Sequence, residues 1–313
     1  MDYKETDKMF DVICDQYHLL QMMSRFGIST GFGEKSVREV CEAAGVHAPT
    51  FLAVAGYLKN GRESAPYYVE RICVSALMNY LRQAHTYFLN FQLPSIRRKL
   101  ISAINCSSAN EVAYLILKFY DEYMGDVRRH MDYEDKSVFT YVDTLMRGKA
   151  SGDFRIEQFA RSHVGIDKKL QELKNLIIKY YNASDAAELI NTVLFDIFSC
   201  EDDLRQHCHV EDDLFVPAVE LLEQRVAQGE KPEDDNVTAT PDTDPLSERE
   251  KEIVRAIVRG ESNKEVADRL FISVHTVLTH RKNIFRKLGI HSVSGLTIYA
   301  IARGLVKLDE VEL

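Results

Sequence analysis

The sequence has no apolar run of the roughly 18–20 residues that a membrane-spanning helix requires. Its first ten residues show neither the basic start nor the apolar stretch of a secretory signal. It has no glycine-rich phosphate-binding loop of the GxxxxGKS/T or GxGxxG type. These absences predict a cytoplasmic protein that does not associate with membranes and that lacks both nucleotide-binding motifs.

The cysteines form neither a CxxC pair nor a regular disulfide framework. Their distribution favours reduced thiols, and they stand at Cys14, Cys41, Cys73, Cys106, Cys200 and Cys208. Strand-like alternation is rare. Apolar residues recur instead at intervals of three and four, for example over 112–123 and 170–180, which is typical of helices. The sequence therefore predicts an all-α protein.

The charge balance has to be considered region by region. The whole chain of 313 residues carries 39 basic and 48 acidic side chains, a net charge of −9, which by itself argues against nucleic-acid binding. Residues 228–245 are rich in acids and proline and almost free of apolar residues, which predicts a flexible linker. Beyond it, residues 246–313 hold twelve basic and nine acidic side chains, so this part is net positive at +3 and the remainder carries −12.

Four long helices are predicted before the linker, at about 67–92, 109–146, 153–181 and 185–227. Breakers separate them, namely Pro94 and the stretches 105–108, 148–152 and 182–184. Long helices with short connections indicate an antiparallel four-helix bundle over 63–227. Residues 1–62, interrupted by several glycines, are expected to form a separate segment of smaller helices.

Histidines and carboxylates are regularly spaced along these helices. A lone histidine on the first helix is followed by an HxxxE motif on the second, and the third and fourth helices repeat this arrangement. The interval from lone histidine to motif histidine is 45 residues in the first hairpin and 44 in the second. The residues are His85, then His130 and Glu134, then His163, then His207 and Glu211.

This pattern predicts a metal centre inside the bundle. Side chains four residues apart lie on one helix face, so each HxxxE pair can point inward together. Four imidazoles with two carboxylates that can bridge fit two iron ions best and leave coordination positions open. A lone HxxxE is usually a solvated surface pair, but its repetition with a preceding histidine is hard to obtain by chance. His209 lies on another helix face, whereas His18 and His47 are expected to be structural.

The region 67–227 resembles hemerythrin-like domains, in particular those of proteins that repair iron–sulfur centres. The resemblance implies His85, His130, His163 and His207 as ligands, with Glu134 and Glu211 bridging two non-haem irons. The segment 1–62 resembles the small helical domain of the same repair proteins. It departs from them at 31–33, where Gly-Phe-Gly replaces their usual cysteine pair. Thiol-based repair is therefore in doubt, and Cys41 is expected to be a packed residue.

Residues 245–304 predict four short helices. Ser247 with Glu250 forms a capping box, Ser273 is the N-cap of the third helix, and Gly289 ends that helix. The third helix is expected to pack through Val274, Val277, Ile284 and Leu288. Its other side is basic, with His280, Arg281, Lys282, Arg286 and Lys287. A basic second helix after a tight turn favours binding in the major groove of DNA.

The strings LSxRE at 246, GxSNKEVA at 260, ISxxTV at 272 and HxxNIxxKLG at 280 make this region similar to LuxR-type DNA-binding domains. The resemblance implies phosphate contacts by Asn263, Lys264, Thr276, His280 and Arg281, and base contacts by Leu278, Thr279 and Lys282. Leu278 replaces the lysine most often found there. Leucine can pack on a thymine methyl, so an altered sequence preference is expected. The fourth helix resembles a dimerisation helix, and a dimer would bind an inverted repeat.

Together these expectations describe a non-enzymatic transcription regulator whose di-iron bundle senses oxygen, nitric oxide or redox state. A second hypothesis is an iron–sulfur repair activity, or one that handles oxygen or nitric oxide, attached to a DNA-binding module. A third keeps the DNA binding and makes the metal purely structural. No phosphate-accepting receiver domain precedes the DNA-binding region, because its α/β pattern is absent.

Overall fold

A computed structural model describes residues 2–105, 111–148, 155–159, 166–181, 186–229, 246–290 and 292–310. Within these ranges the regular backbone is helical, and the only strand-like pairing is one isolated antiparallel bridge between Lys8 and Ser36. The expectation of an all-α fold is confirmed. None of the described helices combines the length and the apolar character needed to cross a membrane.

Four short helices begin the chain, and they are α1 (Met9–Asp15), α2 (Leu19–Arg25), α3 (Val37–Ala43) and α4 (Ala48–Asn60). Ser36 and Glu39 form a capping box at the start of α3, and the side chain of His47 accepts a hydrogen bond at the start of α4. His47 is therefore structural, as expected. The buried side chains of these helices belong to the same apolar core as one end of the bundle.

Among the described residues, three long helical rods and one further helix form the bundle. The first rod is α5 (Val74–Tyr87) with α6 (Leu93–Asn105), the second α7 (Glu111–Tyr133) with α8 (Phe139–Met146), and the third α10 (Ala187–Val210) with α11 (Val216–Ala227). The remaining helix is α9 (Ile166–Tyr180). Helices α6, α7, α9 and α10 contact one another in a closed ring, as in a four-helix bundle.

Each rod contains one wide turn with i→i+5 hydrogen bonds, called here a π turn. The π turns span Phe88–Gln92, Glu134–Val138 and Glu211–Phe215, and they join α5 to α6, α7 to α8 and α10 to α11. Such turns inside α-helices are frequently found at functional sites.

The prediction that Pro94 breaks the first helix is wrong, because the rod continues to Asn105. A proline ring clashes with the carbonyl group four residues earlier in a regular α-helix. Here the π turn immediately before Pro94 widens the backbone, which gives the ring room. Pro217 follows its π turn in the same way, whereas Thr140 occupies this place after the third π turn.

Two predicted regions lie partly outside the described residues. The third helix was expected over 153–181. The structure describes a single turn at Ile156–Gln158 and then α9, with 160–165 between them outside the described ranges. The predicted linker falls almost entirely on residues 230–245, which also lie outside these ranges.

The bundle has two apolar cores with a polar layer between them. One core combines α1–α4 with the start of α5, with α8 and with α11, and includes Leu81 and Phe139. The other fills the ring of α6, α7, α9 and α10, and includes Phe88, Met131 and Leu204. The buried side chains of His85, Glu134, His207 and Glu211 belong to this layer, where the ring of His85 contacts Phe139 of the first core and that of His207 contacts Phe88 of the second.

The C-terminal part forms its own core from α12 (Glu248–Val258), α13 (Asn263–Leu270), α14 (Val274–Leu288) and α15 (Val293–Ala302). The Ser247–Glu250 capping box and the N-cap at Ser273 are confirmed. Gly289 ends α14 in the left-handed conformation, with φ at 60°. The four helices therefore begin and end close to where the cap residues predict.

Candidate metal centre and DNA-binding surface

Four of the six predicted metal ligands meet inside the bundle. His85 comes from α5, Glu134 from the π turn after α7, His207 from α10 and Glu211 from the π turn after α10. Their candidate ligand atoms all lie within 4.8 Å of one another. All four residues are between 0% and 2% exposed. The sequence spacing thus corresponds to a compact cluster that is shielded from water.

Each carboxylate lies between two imidazoles. Glu134 is 3.1 Å from Nε2 of His85 through Oε2 and 2.8 Å from Nε2 of His130 through Oε1. Oε1 of Glu211 is 3.2 Å from Nε2 of His207 and 3.8 Å from Nε2 of His85. The His85 imidazole is therefore shared by both carboxylates, and each HxxxE motif adds a second imidazole to its own glutamate.

The chemistry of this cluster fits a bound cation. Nε2 of His85 and both ring nitrogens of His207 make no hydrogen bond within the described part of the chain. Buried polar atoms without partners are costly, and two carboxylates so close together in an apolar core are more costly still. Positive metal ions offset both costs, because they accept the imidazole lone pairs and balance the carboxylate charge.

The same environment acts on the protonation of His85 when no cation is held. Burial lowers the pKa of His85, but the nearby carboxylates of Asp135, Glu134 and Glu211 outweigh it and raise the pKa well above its usual value. The carboxylates therefore favour a positive charge on or next to this imidazole. A metal ion would supply that charge in place of the proton.

Asp135 positions His85. Its Oδ1 lies 3.0 Å from Nδ1 of His85, which leaves Nε2 directed at Glu134 and Glu211. Carboxylates commonly hold metal-binding histidines in this way, because the bond fixes the tautomer and the ring orientation. The ring of Phe139 stacks on that of His85, with centroids 5.5 Å apart. Sequence reasoning missed Asp135, since its partner lies 50 residues away on another rod.

The π turns begin at or just after the clustered residues. Glu134 and Glu211 are the first residues of their π turns, and the π turn Phe88–Gln92 begins three residues after His85. Because a π turn adds one residue to the helical turn, the side chains after it lie on a helix face that is rotated relative to the face before it. No sequence signal announced this local geometry apart from Pro94 and Pro217.

The two remaining predicted ligands are His130 and His163. His130 is next to Glu134, with 14% of its side chain exposed, and lies at the edge of the cluster. His163 lies outside the described residues, so its part in the site stays a prediction. His209 is exposed, as expected from its helix face.

The described cysteines are free thiols, with Cys41 and Cys200 buried. Burial raises the pKa of Cys41 to about 12, with the charges of Glu5 and Glu42 adding to the effect. A thiol with so high a pKa is a poor nucleophile at neutral pH. The expectation that Cys41 is a packed residue is therefore confirmed.

Helices α13 and α14 form a helix-turn-helix. Its turn contains Phe271, which has a left-handed backbone at φ 54° and a side chain that is 94% exposed. Ser262 and Glu265 form a capping box at the start of α13, and Arg281 on α14 donates to the side-chain oxygen of Asn263 at 3.1 Å. This bond ties the two helices together at the predicted phosphate-contacting residues.

The predicted DNA-contacting residues lie on an accessible surface. Lys264, Leu278, Thr279 and Lys282 are exposed, and the others are half-buried, namely Asn263, Thr276, His280 and Arg281. Val277 and Ile284 are buried as expected. The prediction that Val274 packs in the core is wrong. Val274 is the first residue of α14 and 42% exposed.

One predicted positive charge is already balanced within the domain. Nζ of Lys287 lies 2.7 Å from both carboxylate oxygens of Glu250, the capping-box residue of α12. This ion pair joins α14 to α12 and places the net positive charge of the surface nearer to Arg281 and Lys282.

Two family models match different parts of the chain. Residues 77–219 match the family model described as "Hemerythrin HHE cation binding domain". Residues 244–300 match the model described as "Bacterial regulatory proteins, luxR family". Both matches agree with the resemblances stated from the sequence. No solved structure matches the chain.

Several curated proteins are similar over a limited length. Transcriptional regulatory protein MctR of Rhizobium johnstonii is 50% identical over 64 residues, which are 20% of this chain and 30% of that protein. Oxygen regulatory protein NreC of Staphylococcus aureus is 46% identical over 68 residues, 21% of this chain and 31% of that protein. Fimbriae Z protein of Salmonella typhimurium is 45% identical over 62 residues, 20% of this chain and 30% of that protein. The chain thus spans about a third of the length of these relatives.

Proposed function

We propose that this chain, which joins a hemerythrin HHE domain to a LuxR-type DNA-binding domain, is a transcription regulator that senses oxygen, nitric oxide or redox state through a non-haem di-iron centre. The observation that carries the proposal is the buried cluster of His85, Glu134, His207 and Glu211. The cluster lies in a domain separate from the helix-turn-helix, so direct contact with DNA does not account for it. Its presence in a regulator is therefore best explained as an input site.

The proposed ligands are the four imidazoles and two carboxylates of the regular pattern. Glu134 and Glu211 would bridge two iron ions, with His85, His130, His163 and His207 completing the set. Imidazole and carboxylate suit iron, although they also accept other divalent metals. Iron bound here supplies a change of charge on oxidation and coordination positions for a small diatomic molecule.

The surrounding residues suit a charge-dependent switch. Glu134 and Glu211 are fully buried and belong to different rods, so a change in the charge between them alters the attraction that draws the rods together. The rod that holds Glu211 ends at Ala227, directly before the predicted linker. A polar linker of 18 residues transmits force poorly. We therefore infer that the bundle acts by masking the DNA-binding surface or by changing dimerisation.

The proposed DNA target is an inverted repeat bound by a homodimer. The basic surface of α14 would enter the major groove, with Leu278, Thr279 and Lys282 facing base edges. Ile298 on α15 is 70% exposed and Val293 is 46% exposed. Apolar side chains that face solvent on this helix suit pairing with the same helix of a second copy.

The decisive experiment compares the DNA affinity of the full chain in three states. A target is first selected from random-sequence duplexes, and its affinity is then measured for metal-free, di-ferrous and di-ferric protein. We expect at least one state to differ by tenfold or more, which is about 1.4 kcal/mol. The double variant Glu134→Gln/Glu211→Gln serves as the control. Equal affinities in all three states of the wild-type protein would contradict the sensing proposal.

The enzymatic alternative is not favoured by any observation on the described residues. Gly31, Phe32 and Gly33 stand where the repair proteins usually have their cysteine pair, and Cys41 is buried. Turnover of nitric oxide or peroxide by the full chain would support this alternative. Unfolding of the bundle on metal removal without any response to gas would instead support a structural metal.

A further inference from the structure

We propose that the N-terminal segment formed by α1–α4 helps to hold the ligands of the metal centre in position. In this proposal Arg25 and Tyr57 are positioning residues that hold the stretch 203–213, so that metal occupancy and docking of the segment stabilise each other. The inference rests on the proposed metal site and adds its regulation. Nothing in the spacing of the histidines pointed to residues 1–62.

Arg25 contacts the neighbours of His207 from two sides. The Arg25 side chain is 5% exposed, and its Nη2 lies 2.6 Å from Oδ2 of Asp203, one helical turn before His207 on α10. The same guanidinium lies over the ring of Phe88 at 5.0 Å. Phe88 in turn meets the ring of His207 edge-on, with centroids 5.7 Å apart. Arg25 therefore contacts both Asp203, one helical turn before His207, and Phe88, whose ring meets that of His207.

Tyr57 holds the other end of the same motif. Its hydroxyl donates to Oδ2 of Asp213 at 2.6 Å and also lies 3.3 Å from the carbonyl oxygen of His209. His209 lies between His207 and Glu211, and Asp213 belongs to the π turn that Glu211 begins. Arg62 pairs with the remaining oxygen of Asp213 at 2.9 Å. The N-terminal segment thus contacts this region at three places: at Asp203 before His207, at His209 within the HxxxE motif, and at Asp213 after Glu211.

These contacts fix the positions of side chains more than they add to the free energy of unfolding. A buried ion pair such as Arg25–Asp203 is often no more stabilising than apolar residues of similar size, because both charges lose their hydration. What the pair does supply is a fixed geometry with directed hydrogen bonds. If these contacts orient His207 and Glu211 for a metal, docking of the segment stabilises the bound metal. Metal binding must then stabilise the docked segment by the same free energy, since coupling is reciprocal.

The first experiment uses Tyr57→Phe in the full chain loaded with ferrous iron. The variant removes one hydroxyl and leaves the ring, so folding is expected to be retained. We expect iron release to a ferrous chelator to accelerate about tenfold, the lower end of the effect of groups that orient metal ligands. Tyr141→Phe is the matched control, because Tyr141 also donates to a carboxylate of the third rod, that of Glu223, away from the motif. Equal release rates for both variants would overturn the proposal.

The second experiment tests Arg25 with a charge-retaining rescue. Arg25→Met is expected to accelerate iron release and to alter the absorption spectrum of the loaded protein, and Arg25→Lys to restore part of both. Lys99→Met is the control, since Lys99 pairs with Asp196 on the same helix about three turns before His207. A release rate and spectrum like those of Lys99→Met would contradict the proposed role of Arg25.

Hydrogen exchange in the wild-type chain tests the reciprocal effect. Backbone amides of α2 and α4 are expected to exchange more slowly after iron loading, while those of α12 remain unchanged. Unchanged exchange in α2 and α4 would overturn the coupling. Failure of the wild-type chain to bind iron would instead contradict the proposed function, so the two failures are distinguishable.

Discussion

The two HxxxE motifs share a sequence pattern but occupy different environments. His207 and Glu211 are 2% and 0% exposed, and the N-terminal segment contacts residues before, within and after them. In the other motif, Glu134 is equally buried, but 14% of the His130 side chain is exposed. The two motifs therefore offer the same residue types at the same spacing, but the packing around them leaves His130 more accessible to water than His207.

The largest effect is expected from removing the buried charge of either motif. Glu211→Gln and Glu134→Gln keep the shape of the side chain but lose its negative charge, so both should abolish stable iron binding. The metal-free variants should also be about 1–2 kcal/mol more stable than metal-free wild type, because a costly buried carboxylate becomes neutral. Metal analysis and thermal unfolding check this. Iron content equal to that of wild type in either variant would remove that glutamate from the site.

A smaller effect should distinguish the two histidines of the motifs. Water can reach the exposed edge of His130 and replace a lost imidazole, but it cannot easily reach the buried His207. His207→Asn is therefore expected to weaken iron binding about tenfold more than His130→Asn, which is about 1.4 kcal/mol. Competition with a chelator of known affinity measures the difference. Equal losses would show that the difference in burial has no influence on binding.

A third effect concerns the orientation of His85. Asp135→Asn weakens the bond to Nδ1 of His85 and should reduce iron affinity by about 10–100-fold. Asp132→Asn is the matched control, because Asp132 lies on the same rod and pairs with Lys136 near the surface. The same competition assay applies to both variants. A loss as large for Asp132→Asn would mean that the charge of the rod, and not the contact with His85, controls affinity.

The smallest effect is expected from Pro217→Ala. The π turn after Glu134 forms without a proline, since Thr140 stands at the equivalent position. Proline at position 217 should therefore contribute only the restriction of the unfolded chain, which is less than about 1 kcal/mol of the free energy of unfolding. Thermal unfolding and the spectrum of the iron-loaded protein check this. A changed spectrum would show that Pro217 shapes the motif of α10.

Much of the architecture could be predicted because it depends on local sequence. The intervals of three and four between apolar residues indicated the rods of the bundle, and the capping residues Ser247 and Ser273 marked helix starts that the structure confirms. The predicted end of the first helix was wrong because it relied on Pro94 as a helix breaker. The rule that proline ends a helix holds for regular α-geometry, and the π turn beside Pro94 removes the clash on which that rule rests.

The sequence by itself determined the helical class, and the repeated spacing of histidine and glutamate singled out the candidate ligands. Only the tertiary structure decided that Asp135 orients His85, that Val274 faces solvent, and that Arg25 and Tyr57 reach the motif of α10. The pairs Arg25–Asp203 and Tyr57–Asp213 join residues 178 and 156 positions apart. A helical period tells which face a side chain occupies, but it carries no information about which distant element packs against that face.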